Sequence, residues 1–245
     1  MKPITTLLFC GLLFSAADRS AVKAAEPIIR RGAEGWRYLN SSRLVAPDAT
    51  SSQWFAAEFN ESKWPAGKAL LGYGDPDVAT NLADSDVAGE RCATVLFRRR
   101  FRVAEAKRFR LFRGSVCCDD GAVVYFNGRE VYRHNMPAGE LSLATNAVRA
   151  VGPETKLERA FHPFAVDSKD VIEGENVLAI SVHQANRTSG DLAFDLELAG
   201  LDSDAEVAEF RRDLEATASE LQVKPASLKL KPVARIQVFA DPTGK

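Results

Sequence analysis

The chain has 245 residues, of which 46% are hydrophobic and 27% charged, with a formal net charge of -1. That length holds one large β domain or two small ones, and the composition is ordinary for a soluble globular fold. A charge so close to zero excludes the basic footprint expected of a nucleic-acid binder or of a protein held on anionic lipid.

The chain opens on a targeting segment. Lys2 precedes the short apolar run Leu7 to Phe14, and small residues follow at Ser15-Ala16-Ala17 and Ala24-Ala25. A run this short fits a cleaved secretory signal over residues 1–25 better than a membrane span of about 20 residues. No second stretch reaches spanning length, so the expected product is exported: secreted, periplasmic or at the cell surface. Cleavage removes Cys10 and leaves Cys92, Cys117 and Cys118. In an oxidising compartment that odd number reads as one disulfide plus one remaining thiol, with Cys92 paired to Cys117 or Cys118. A metal-thiolate site is the alternative, and it lacks a fourth ligand at suitable spacing.

Between Trp36 and Leu198 the pattern is of short strands separated by turn-rich loops. Val95, Phe97, Arg99, Phe101 and Val103 alternate with Leu96, Arg98, Arg100 and Arg102, a period of two with one buried face. In the run Arg98-Arg99-Arg100 the expectation is one partly buried arginine flanked by two solvated ones. Phe109 to Phe112 reads as a short strand. Next comes a hairpin, with Val123 to Phe126 and Glu130 to Tyr132 as its arms. Asn127-Gly128 supplies the type I′ turn, since both residues tolerate positive φ. Asn176 to His183 places Leu178, Ile180 and Val182 on one side, and Leu192, Phe194, Leu196 and Leu198 form the clearest alternation. Two long loops stand out, Gly72 to Gly89 and about Asn135 to Glu158; loops of such length are functional or disordered. After Gly200, Ser203-Asp204-Ala205-Glu206 is a capping box, and Val207, Phe210, Leu214, Ala218 and Leu221 fall at helical spacing. That helix must end before Pro225.

Strands at this spacing with no helix between them predict an all-β, antiparallel sandwich or barrel, and the hairpin favours a sandwich, over residues 26–200, followed by an amphipathic helical extension over 201–245. The candidate ligand residues lie in its loops and at its strand ends: Tyr73, Asp75, Asp119, Asp120, Asn135, His183, Gln184 and Asp191. Tyr73, flanked by glycines, is expected to be exposed, whereas Trp36, Trp54 and Trp64 are expected to pack as structure. Asp119 and Asp120 admit two readings: oxygen ligands for Ca²⁺ or sugar hydroxyls, or carboxylates that accept backbone amides at a strand entrance. Asp75, Asp77, Asp84, Asp86 and Glu90 form an oxygen-rich set of the same ambiguity. No two of the three histidines sit at metal-ligand spacing. Ser115 and Ser181 lack a nucleophile-elbow context, so no hydrolase triad is expected.

An ordered set of motifs gives the family resemblance. It runs through Trp54…Trp64-Pro65-Ala66-Gly67, Leu70-Leu71-Gly72-Tyr73-Gly74-Asp75 and Phe97-Arg98-Arg99-Arg100-Phe101 to Asp119-Asp120-Gly121. It continues with Asn135-Met136-Pro137-Ala138-Gly139, Asn176-Val177-Leu178-Ala179, Val182-His183-Gln184 and Asp191 to Leu198. This order resembles the galactose-binding-like jelly-roll module of exported planctomycete-type bacterial proteins, which is similar to the sugar-binding accessory domain of some β-glycosidases. The resemblance implies a jelly roll and a non-catalytic carbohydrate-binding role for a polysaccharide or surface glycan. Asp119-Asp120-Gly121 also looks like the paired-aspartate motif of protective-antigen-type adhesin lectins, which would imply Ca²⁺ there. The alternative function is a structural or protein-interaction scaffold that meets a protein partner through the C-terminal helix.

Overall fold

The computed structural model describes residues 25–40, 54–82, 93–152, 159–186 and 189–220. Residues 1–24, where the signal segment was expected, Asp84, Asp86, Glu90, Cys92 and everything after Glu220 lie outside the described residues.

The β-branched and aromatic runs form two six-stranded sheets. In the first, β10 (Phe161–Asp167), β7 (Leu111–Asp119), β12 (Leu192–Leu201), β4 (Leu71–Tyr73) and β5 (Thr80–Asn81) follow in that order, and β1 (Glu26–Ile29) also pairs with β12. In the second the order is β3 (Ala66–Gly67), β2 (Trp36–Asn40), β6 (Thr94–Val103), β11 (Gly174–His183), β8 (Gly121–Phe126) and β9 (Arg129–His134). All pairings are antiparallel except β4 with β5. The chain is thus an all-β sandwich. Inward side chains of both sheets, among them Phe97, Phe112, Val116, Val124, Leu178, Ile180, Phe194 and Leu196, make one buried core.

The period-two alternation in β6, β11 and β12 places the anticipated residues inward. The Asn127-Gly128 turn has φ of 47° and 81°, the geometry the hairpin twist requires. One strand is longer than its sequence signal. Phe109 to Phe112 reads as a short strand, whereas β7 continues to Asp119, because its second half is paired on both sides by β10 and β12. Alternation along β7 sends Cys118 into the core and Cys117 to the opposite face.

Both outer faces carry cover. On the second sheet, Trp54 and Trp64 lie buried over Leu96 and Ala179, with Phe55, Phe59, Tyr125 and Leu143 around them. Arg98 is fully buried beneath this layer. It pairs with Glu61 and donates to the carbonyls of Trp54, Ala56 and Phe59. Arg99 is half-buried and Arg100 exposed, so the buried arginine is the first of the run and is wholly enclosed. On the first sheet, α1 (Asp204–Glu220) lays Val207, Phe210 and Leu214 on Leu111, Ala165 and Leu201. The capping box is formed: Ser203 Oγ accepts the Glu206 amide at 3.3 Å, and Glu206 Oε2 accepts the Ser203 amide at 3.0 Å. Leu221 and the side chain of Ala218 lie outside the described residues.

Candidate functional site at one end of the sandwich

Strand order brings distant residues to one end. Asp119 is opposite Ala193, Tyr73 is opposite Leu192, and His183 pairs with both Gly121 and Thr94. β7 belongs to the first sheet and β8 to the second, so Asp120 is the single residue on which the chain crosses between them. The 135–152 segment packs directly on this corner. A Cβ at Gly121 would stand 2.8 Å from Met136 Sδ and 3.0 Å from the Asn135 carbonyl oxygen, so a larger residue there would push both aside.

Asp120 is 1% exposed, and its carboxylate is used twice. Oδ1 accepts the Val151 amide at 2.6 Å and Oδ2 the Ala185 amide at 2.7 Å. Its carbonyl accepts Asn135 Nδ2 at 3.0 Å, and that amide also donates to the Arg149 carbonyl at 2.7 Å. Asp119 ends β7, also buried, on the face that carries Cys117. Burial pushes the Cys117 thiol up to about 12, so it is no nucleophile. Among the described residues no three His, Cys, Asp or Glu side chains come together as a cation set.

His183 is buried at 2% exposure, with three polar neighbours. Thr94 Oγ1 donates to the Leu143 carbonyl at 2.7 Å, so toward His183 it acts as acceptor. The Thr145 carbonyl, 2.8 Å from Nδ1, can only accept. Nδ1 therefore carries the proton, and Nε2 accepts the Ser181 hydroxyl at 2.9 Å. Burial holds the imidazole down near 4, so it is neutral at pH 7. The Ser181–His183 contact has the atoms of a catalytic dyad. Both residues are sealed from solvent, however, and a carbonyl stands where a carboxylate would orient the base.

Gln184 Nε2 donates to the Tyr73 hydroxyl at 3.0 Å and to the Asp191 carbonyl at 2.6 Å. The expected exposure of Tyr73 is corrected here. It sits in β4 at 6% exposure with its ring in the core, because β4 is paired against β12 and the following Gly74, at φ 90°, turns the chain out only afterwards. Asp75 and Asp191 are half-buried at the rim, and Asn186 and Asp77 are exposed. Arg159 Nη2 bridges Asp75 Oδ2 at 2.7 Å and Asp77 Oδ1 at 2.8 Å. Arg159 had no signal in the sequence, since it lies 82 positions from Asp77 and only the fold joins them.

A second group at the same end also escaped sequence reading. His134 on β9 and His162 on β10 stack at 3.6 Å between centroids, and Tyr132 stacks on Phe164 at 5.4 Å. These two rungs close the seam where the last strands of the two sheets meet. Burial lowers His134 to about 3, with His162 adding to it, and lowers His162 to about 4.

No protein-family model matches the chain, and no curated protein matches it. It is similar to part of several solved glycosidase structures. One is a beta-glucuronidase of Bacteroides uniformis, with 14% identity and a TM-score of 0.43, covering 70% of this chain and 17% of that one. Another is a beta-glucuronidase of an uncultured Clostridium species, with 18% identity and a TM-score of 0.44, covering 74% and 30%. A third is a beta-glycosidase of Bacteroides vulgatus, with 13% identity and a TM-score of 0.40, covering 72% and 20%. The chain spans less than a third of the length of each.

Proposed function

We propose that this protein is a non-catalytic carbohydrate-binding module of jelly-roll type on an exported protein, and that it recognises a polysaccharide or surface glycan at the end of the sandwich described above. The observation that carries the reading is the convergence on that one end of Tyr73, Asp119 and His183 from three strands and of Asp75, Asp120, Asn135, Gln184 and Asp191 from the residues that flank strands. These residues divide into two tiers. Asp120, His183, Gln184 and Tyr73 form a buried frame of hydrogen bonds, and Asp75, Asp191, Asn186 and the Arg159 bridge stand at the rim. A rigid frame under a rim of carboxylate, amide and guanidinium groups suits sugar hydroxyls, which both donate and accept. Nothing in this mechanism transfers a proton or forms a bond to substrate.

The test is retention of the folded mature protein on a glycan array and on insoluble polysaccharides. Asp75→Asn and Asp191→Asn are each expected to weaken retention about fivefold, the difference between a charge-assisted and a neutral hydrogen bond. Blank arrays with folded wild-type protein would end the reading. Thermal unfolding with EDTA, with Ca²⁺ and with soluble sugars belongs in the same experiment. A ligand at a hundred times its Kd adds about 2.7 kcal/mol. A Ca²⁺ shift lost in Asp119→Asn would support a structural ion at Asp119 and Asp120.

One observation favours a scaffold instead. The deep polar groups are spent on backbone amides and carbonyls rather than turned to solvent. A scaffold would have to meet its partner elsewhere than through Val207, Phe210 and Leu214, which are already docked on the sandwich.

A further inference from the structure

Two segments frame the rim, 135–152 and the turn that follows His183, and each is tied to the same carboxylate. We infer that Asp120 is a positioning residue that couples these segments into one unit, so that they hold or lose their arrangement together. The geometry supports this at several points. The two carboxylate oxygens face different segments, Oδ1 the Val151 amide at 2.6 Å and Oδ2 the Ala185 amide at 2.7 Å. Ala185 immediately precedes Asn186 at the rim, and Val151 closes the stretch that begins at Asn135. The remaining ties converge on the same corner. The Asp120 amide donates to the His183 carbonyl at 3.3 Å, and the Ala147 amide donates to the Gln184 carbonyl at 3.0 Å. Asn135, at φ 50°, spans from the Asp120 carbonyl to the Arg149 carbonyl, and its own carbonyl accepts the Val148 amide at 2.9 Å.

The site calls for two acceptor oxygens on one side chain. Two amides arriving from separate segments need two acceptor oxygens on one short side chain, and only aspartate fits at 1% exposure. Asparagine offers one acceptor and one donor, so it can hold one amide while its own NH₂ confronts the other. Alanine holds neither. The carboxylate is buried beneath both segments and does not reach the rim, so its effect on a bound molecule passes through Ala185 and Val151 alone. The consequence for binding rests on the carbohydrate reading; the coupling does not.

The experiment is residue-resolved amide hydrogen exchange on the full mature chain, comparing wild type with Asp120→Asn and Asp120→Ala. In Asp120→Asn the lost tie is expected to free both segments, so that the Val151 and Ala185 amides each exchange at least about tenfold faster; Asp120→Ala should release both at least as strongly. Strand amides of β6, β11 and β12 should keep wild-type rates in Asp120→Asn. Unchanged protection at both amides, or faster exchange at one with its counterpart still protected, would overturn the proposal. So would a uniform rise across the strands, which is what a merely structural residue would give. Where Asp120→Ala fails to fold, Asp120→Asn decides alone. A second arm measures retention of Asp120→Asn on xylan, pectin and mixed-linkage β-glucan. If wild type binds one of these, weaker retention without any rim substitution ties the coupling to binding. If wild type binds none, the glycan array decides the carbohydrate reading and the exchange result still decides the coupling.

Discussion

Arg98 and Asp120 are both almost wholly enclosed by the fold, and they are held in opposite ways. Arg98 faces a carboxylate, Glu61 Oε2 at 3.2 Å, and three backbone carbonyls. Burial pulls its pKa down while Glu61 pulls it up. Replacing it with Met would leave those carbonyls bare and Glu61 dependent on Arg100, so Arg98→Met is expected to cost about 3–5 kcal/mol. Urea unfolding followed by tryptophan fluorescence would read this directly, since Trp54 and Trp64 sit in the layer it anchors; a loss under 1 kcal/mol would refute the anchoring role. The enclosure of Arg98 was not legible from alternation, which tells only that Arg98 and Arg100 share a face. Whether that face is wet depended on residues 54–64 folding over it. Asp119 and Asp120 teach the same lesson. Adjacent in sequence, they read as a pair, yet they do different things because one ends a strand and the other is the corner between sheets.

The short-range elements were the most legible. The Asn127-Gly128 turn, the Ser203 capping box and the alternation of β12 each follow from chemistry within a few residues. Ser203→Ala is expected to cost about 1 kcal/mol, seen as a lowered Tm. Phe210→Ala should cost more, about 3 kcal/mol, because it opens a cavity between α1 and the first sheet. If the two losses were equal, the helix would be held by its own propensity rather than by docking. The continuation of β7 to Asp119 was not legible, since Gly114 interrupts the run of strand formers and the segment is kept extended by β10 and β12 on its two sides. Tyr73 was misplaced for the same reason: its glycine neighbours read as loop, and pairing with β12 overrode them.

At the scale of the molecule, three buried histidines make stability depend on pH below neutrality. His134, His162 and His183 are all buried and lowered to about 3, about 4 and about 4. In the unfolded chain each returns to its ordinary value near 6.5. Above that value both states are neutral and the contribution is fully present. As pH falls toward 4 the unfolded chain takes up protons that the folded chain does not, so stability declines, levelling off only below the folded values. Each imidazole is expected to contribute up to about 1.4 kcal/mol per pH unit within that window. Denaturant titrations at pH 7, 6 and 5 would measure the slope. His162→Phe, which keeps the stack on His134, should reduce it by one proton; an unchanged slope would show that the seam does not report on pH.

The sequence by itself determined the fold class, the hairpin, the helix cap and the set of polar residues worth following, because alternation, turn chemistry and capping act over distances of a few residues. Tertiary structure alone decided which of those residues are rim and which are frame, which arginine is enclosed, that Arg159 meets Asp75 and Asp77, and that His134 meets His162. Those outcomes depend on strand order and on what covers each sheet, and both are set by long-range pairing that leaves no local pattern in the chain.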